Sequence, residues 1–298
     1  MQVNAELNAY LQPRLQVIEQ ALAQWLPISG ACPRILPEAM RYAVLDGGKR
    51  LRPILCIAAA EMVGGTVQQV LPTACALELI HAFSLVHDDL PALDNDTLRR
   101  GKPTCHVQFG EAIAILAGDA LFAHAFRLIA QQAEYSPPER VVRVLALIAE
   151  AVGVDGMVGG QVEDMLSERE PVTPEALAYI HSHKTGALIR ASVLSGAILC
   201  GASAEVEQAL DAYSRALGLA FQIVDDILNE TGDPARLGKA TGTDRARQKA
   251  TYPRLYGLDA SRARAQQELR NALDALQPFG TEADPLRWLA HYVVEREW

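Results

Sequence analysis

The sequence predicts an all-α fold: a single domain, residues 1–298, of long helices around a deep central cavity. Three observations carry this expectation. Alanine, leucine, glutamate, glutamine and arginine dominate, and β-branched alternation is rare. Apolar residues recur at helical spacing in residues 51–62, 70–90, 113–130, 141–154, 180–199 and 209–228. Several of these stretches are apolar nearly all round, as central helices buried on every side are.

The punctuation fits those elements. Gly47-Gly48 precedes the helix that starts near Leu51, and Gly64-Gly65 ends it. Ser136-Pro137-Pro138 separates two helices. Thr173-Pro174-Glu175 reads as a helix start, with Thr173 as N-cap and Pro174 at the first helical position. No connection has the length of a domain linker, and no repeat or low-complexity tract interrupts the pattern.

Composition excludes some functions. With half its residues hydrophobic, the chain has material for a large core. A formal net charge of -9 argues against a nucleic-acid partner, which needs a basic footprint. The five cysteines are scattered and form no CxxC pair, so neither a disulfide framework nor a zinc site is expected. No uncharged apolar run reaches the roughly 18 residues of a membrane span. The first residues, with Glu6 and Glu19, do not read as a signal peptide. A soluble cytoplasmic protein is the expectation.

Two acidic clusters carry the chemistry. The first is Asp88-Asp89-Leu90-Pro91-Ala92-Leu93-Asp94-Asn95-Asp96, at the end of an apolar helical stretch. Carboxylates are hard oxygen ligands suited to Mg²⁺, which also accepts phosphate oxygens from a substrate. Asp88 and Asp94 would point about 240° apart on a straight helix. Pro91 should end the helix and let Asp94 fold back toward Asp88. The second cluster is Asp225-Asp226-Ile227-Leu228-Asn229, where residues four apart lie within about 40° on one face. Paired acids at the ends of two apolar helices cost stability unless something cationic holds them. Metal ions between facing clusters would hold a diphosphate.

Such a ligand also needs cations. Lys49 and Arg52 stand three apart in GGKRLRP, on one face if helical. Arg99 and Arg100 follow the first acidic cluster, Lys184-Thr185-Gly186 opens another apolar helix, and Lys239 follows the second cluster by ten residues.

At this point the sequence resembles the trans-isoprenyl diphosphate synthases, most closely the bacterial-type farnesyl diphosphate synthases (geranyltranstransferases). The matching segments are GGKRLRP from Gly47, IHAFSLVHDDLPALDNDTLRRGKPTCH from Ile80, KTG from Lys184, FQIVDDILN from Phe221, LGKATGTD from Leu237 and KATYP from Lys249. They stand in family order across almost the whole chain. The resemblance implies a polyprenyl synthetase domain with the isoprenoid synthase fold of mostly antiparallel helices, usually as a homodimer. It implies Mg²⁺, commonly three ions, with Asp88, Asp94 and Asp225 as ligands and Asp89 and Asp226 beside them in the catalytic clusters. Arg99, Lys184, Thr185, Gln222 and Lys239 match residues that hold an allylic diphosphate. Lys49, Arg52, His81 and Arg100 match those that bind the diphosphate of isopentenyl diphosphate. Bulk at Phe83 and Ser84 matches positions that limit product length, and an aromatic at Phe83 resembles synthases of farnesyl diphosphate. Geranylgeranyl or geranyl diphosphate is the alternative product.

Two departures from the family pattern stand out. Asn229 occupies the place of a usual third aspartate, which suggests weaker Mg²⁺ affinity, and Asn95 and Thr97 replace further aspartates. Other readings have less support. His87-Asp88 lacks the additional histidine ligands of a helical phosphohydrolase. A class I terpene cyclase would have no use for Lys49, Arg52 and Arg100. A non-catalytic synthase subunit would typically have lost aspartates that are intact here.

Overall fold

The computed structural model describes residues 5–28, 33–168, 173–231 and 249–296. The described chain is all-α. The elements are α1 (Ala5–Trp25), α2 (Ile35–Leu45), α3 (Leu51–Met62), α4 (Val67–Asp88), α5 (Cys105–Phe109) and α6 (Glu111–Gln131). They continue with α7 (Pro138–Val152), α8 (Met157–Ser167), α9 (Pro174–Ile180), α10 (Ala187–Leu199) and α11 (Ala204–Thr231). The last three are α12 (Tyr252–Tyr256), α13 (Leu258–Ala275) and α14 (Asp284–Glu295). Between α4 and α5 lies a small antiparallel hairpin, β1 (Leu98–Arg99) and β2 (Lys102–Pro103), with Arg99 opposite Lys102.

The core sits where the most apolar helices meet. α4 packs on α3 and α6, while α10 packs on α3, α7 and α11. α10 is buried from Leu188 to Leu199 except at Arg190, which explains why its sequence is apolar all round. α11 is amphipathic instead. It buries one face against α13 and is pinned to α14 by the Tyr213 hydroxyl, which donates to the Leu286 carbonyl at 2.7 Å. Two stretches, Val67–Asp88 and Glu111–Glu134, are long and apolar enough by composition to cross a membrane. Two-thirds of the first stretch is buried inside the protein, as expected of a core helix.

Several local features follow from single residues. Thr66 and Gln69 form a capping box that starts α4. Thr173 accepts from the Ala176 amide at 3.2 Å and starts α9, with Pro174 in the first turn. From Pro174 to Leu199 the chain is helical without a break, but His181–Gly186 is wound as a π-helix. Such bulges relax the i→i−4 ladder and re-aim side chains, and they are frequent at functional sites. Here the bulge carries Lys184 and Thr185.

Candidate active site

α4 ends at Asp88, and the chain turns at once. The Asp94 amide donates to the Asp88 carbonyl at 2.8 Å, and the Asn95 amide donates to that of Leu90 at 3.0 Å. Asn95 adopts a positive φ of 51° to close this turn. The seven residues from Asp88 to Asp94 therefore double back, as Pro91 suggests. Burial pushes the Asp88 carboxyl above its usual range; Lys184 opposes that and Asp94 reinforces it. Asp89 is turned elsewhere. It is 3 % exposed and takes a forked bond from Arg99 at 2.6–3.0 Å. That geometry makes Asp89 the anchor of the hairpin that carries Arg99 and Arg100.

The π-helix puts Lys184 among acids. Its ammonium donates to Asp164 Oδ2 at 2.7 Å. Lys249 reaches the same oxygen at 3.4 Å and Asp94 Oδ1 at 3.0 Å. Burial would lower the Lys184 pKa, but Asp88 and Asp164 hold it above the usual lysine value. Burial would likewise raise Asp164, yet the two lysines hold it below the ordinary carboxylate range. This approach of α8 requires Gly160, because a Cβ there would lie 2.2 Å from the Lys184 backbone nitrogen.

The second acidic cluster divides its labour. Asp225 is the more open residue, with Arg296 Nη2 at 3.5 Å from Oδ1. Arg296 stacks on the Phe221 ring at 3.9 Å, donates to the Phe221 carbonyl at 3.1 Å, and keeps a buried Nε without a hydrogen bond. Burial pulls the Arg296 pKa down, and Asp225 partly restores it. Asp226 is buried and accepts from the Tyr252 amide and Gln222 Nε2, both at 3.0 Å, with His181 Nε2 at 3.2 Å. Gln222 is thereby oriented so that its Oε1 accepts from the Thr185 hydroxyl at 2.7 Å. Asn229 is buried one turn beyond Asp225.

The basic residues gather around α3 and the hairpin. Gly47, Gly48 and Arg50 all have positive φ, so the GGKR loop turns tightly into α3. Gly48 also leaves room for the Arg100 guanidinium, 2.7 Å from where a Cβ would stand, and Arg100 donates to the Gly47 carbonyl. Arg50 is buried and bound by Glu19 at 2.6 Å and Glu78 at 2.8 Å, which fixes the start of α3. Arg52 has a buried Nε with no hydrogen-bond partner, and burial pulls its pKa down to about 10. Burial and the nearby Arg52, Arg100, Arg99 and Arg50 push His81 well below the usual histidine value. Lys49 stands 5.9 Å from the centre of the Tyr292 ring.

On α4, Phe83 packs against Phe122 at 4.9 Å, and Phe122 against Phe126 at 5.0 Å. The Ser84 hydroxyl is used within the helix, donating to the His81 carbonyl at 2.9 Å. Lys239 lies outside the described residues.

Among the described residues, no three His, Cys, Asp or Glu side chains already form a metal cage. The donor set nevertheless fits Mg²⁺. Asp88, Asp94 and Asp225 offer hard oxygens, and Lys184, Lys249 and Arg296 act on them as cations of the chain's own. Sequence reasoning missed Asp164, Lys249 and Arg296. Lys249 lies in the KATYP segment, which was the one available signal. Asp164 and Arg296 lie among other charged residues and look like solvated surface charges in sequence; their partners are 20 and 85 residues away for Asp164 and 71 for Arg296.

The chain is similar to known proteins over almost its whole length. The polyprenyl synthetase family matches residues 33–284. A protein of Fischerella ambigua named dimethylallyltranstransferase is 49% identical over 97% of this chain and 84% of its own. A geranylgeranyl diphosphate synthase of Cyanophora paradoxa is 46% identical over 99% of this chain and 98% of its own. The crystal structure of an FPP/GFPP synthase from Zymomonas mobilis superposes with a TM-score of 0.85 at 38% identity, covering 97% of this chain and 99% of that one.

Proposed function

The chain belongs to the polyprenyl synthetase family, and from that premise we propose how its residues elongate a prenyl chain. An allylic diphosphate (dimethylallyl or a longer homologue) binds at the acidic half, and isopentenyl diphosphate binds at the basic half. The observation that carries this reading is the pairing of opposite charge environments in one site. Asp88 and Asp94 lie with Lys184 and Lys249, while Arg52, Arg100 and His81 cluster near the start of α3.

Asp88, Asp94 and Asp225 would hold Mg²⁺, with three ions per site the expectation. Bound there, the ions supply Lewis-acid stabilisation of the departing diphosphate. Lys184, Lys249, Arg99 and Lys239 add positive charge around that leaving group as the C–O bond ionises. The Thr185 hydroxyl donates to Gln222, so its oxygen lone pairs are free to face the allylic cation. Asp226 and His181 hold that Gln222–Thr185 pair in orientation. Lys49, Arg52, Arg100 and His81 hold isopentenyl diphosphate while its double bond attacks. The proton lost afterwards goes to the departed diphosphate, so no protein base is required. Apolar walls exclude the water that would quench the cation. Asn229, carrying no charge, fits a modest Mg²⁺ affinity.

For product length, the Cyanophora relative's name favours geranylgeranyl diphosphate over the farnesyl product that Phe83 suggests. Farnesyl diphosphate is the second reading, supported by the ring series Phe83, Phe122 and Phe126 along the inner face of α4 and α6. A homodimer is part of the proposal. Its support is the exposed apolar face of α8, with Val158, Val162, Met165 and Leu166.

The test is incubation of purified protein with Mg²⁺, isopentenyl diphosphate and each allylic diphosphate, with identification of the products. No product from any pair would overturn the reading. If the rings set the limit, Phe83→Ala lengthens the product by at least one isoprene unit; an unchanged profile removes Phe83 as the stop.

A further inference from the structure

We propose that Asp164 is a positioning residue for the allylic half of the site. It draws the ammonium of Lys184 toward α8 and shares that of Lys249 with Asp94, and so loosens the hold of both lysines on Asp88 and Asp94 in favour of divalent cations. The inference rests on the prenyl-transfer reading for its substrates, but its central claim concerns metal binding alone.

Three features of the geometry support it. The Asp164 side chain is 8% exposed and accepts from both lysines, at 2.7 Å and 3.4 Å. The Lys249 side chain is 11% exposed and lies between Asp164 and Asp94, 3.0 Å from the latter. α8 reaches the π-helix because Gly160, one turn before Asp164, presents only hydrogen to the Lys184 backbone. Two ammonium groups in one sheltered corner repel each other, and each needs a counter-ion. With Asp164 present, both share a carboxylate that is not among the proposed metal ligands. Without it, Lys249 keeps its bond to Asp94, and Lys184 is drawn to Asp88, the other carboxylate acting on it. The lysines would then compete with Mg²⁺ for Asp88 and Asp94.

The experiment compares wild type with Asp164→Asn in three measurements. These are the Mg²⁺ concentration for half-maximal activity, the KM values of the two substrates, and the rise in Tm caused by Mg²⁺ alone without substrate. Asp164→Asn is expected to raise half-saturating Mg²⁺ and the allylic KM roughly tenfold, the scale of one sheltered charge pair. It should leave the isopentenyl KM unchanged and shrink the Mg²⁺-induced Tm rise. Unchanged Mg²⁺ dependence, or equal rises in both KM values, would overturn the proposal. If wild type makes no product, the prenyl-transfer reading fails, and the Tm measurement with Mg²⁺ still decides the role of Asp164. Lys249→Met provides a second variant should Asp164→Asn not fold. With the competing ammonium gone, the Mg²⁺ concentration giving half of the Tm rise should fall severalfold, and an equal or higher value would contradict the mechanism.

Discussion

Asp88, Asp94 and Asp225 each stand within reach of a cation that the chain itself supplies, through Lys184, Lys249 and Arg296. Arg52 is treated differently. Its Nε is buried without a hydrogen bond, and the carboxylate acting on it, Glu78, is bonded to Arg50 instead. The acidic half is thus neutralised in advance, and a metal entering it exchanges one cation for another. The basic half keeps its charge, and an anion entering it relieves desolvated cations at once. One half should therefore respond to Mg²⁺, and the other should bind its diphosphate without it.

The largest effect should come from the acidic half. Asp94→Ala is expected to lower kcat/KM about a thousandfold, the scale of losing a group that stabilises transition-state charge, while isopentenyl diphosphate still binds by calorimetry. A loss below tenfold would remove Asp94 from the metal site. In the basic half, Arg52→Met should raise the isopentenyl KM by roughly 30-fold, since it removes a sheltered charge from an anion site. The allylic KM and the Mg²⁺ dependence should not move; if they do, the two halves are not separate.

Gly160→Ala tests how the acidic half is assembled. The new methyl meets the Lys184 backbone at 2.2 Å, so α8 and the π-helix must part. A destabilisation of about 1–3 kcal/mol is expected in denaturant unfolding, together with a raised allylic KM. The smallest effect concerns His81. Its folded pKa is depressed, so below about pH 6.5 the unfolded chain takes up a proton that the folded chain refuses. Stability should therefore fall as pH drops through that region, by at most about 1.4 kcal/mol per pH unit. His81→Asn should flatten this slope, and an unchanged slope would assign it to other groups.

The helices were legible because their apolar spacing is long and regular, as in α3, α4, α6 and α10. Thr173 announced α9, and Pro91 announced the return of Asp94 toward Asp88. The π-helix at His181–Gly186 was not legible, because one extra residue in a turn hardly alters the apolar period. The hairpin at Leu98–Pro103 was also hidden; four paired residues give no alternation to read. The acidic motif could be seen as a group, but the separate work of its members could not. Asp89 binds Arg99, and Asp226 binds the Tyr252 amide, through partners that only tertiary structure supplies.

The hairpin has a consequence for how products could diversify. Arg99 is tied to Asp89 and Arg100 to Gly47, so consecutive residues reach into opposite halves of the site. Their Cα atoms are held about 3.8 Å apart by one trans peptide bond. On the proposed reading, the two guanidinium groups that meet the two diphosphates spring from adjacent backbone positions, so the two substrates share one local reference point. Product length then has one adjustable end: the distance travelled down α4 before the chain meets a ring. On that reading the molecule would work as a ruler whose near mark is the Arg99–Arg100 pair and whose far mark is a replaceable residue.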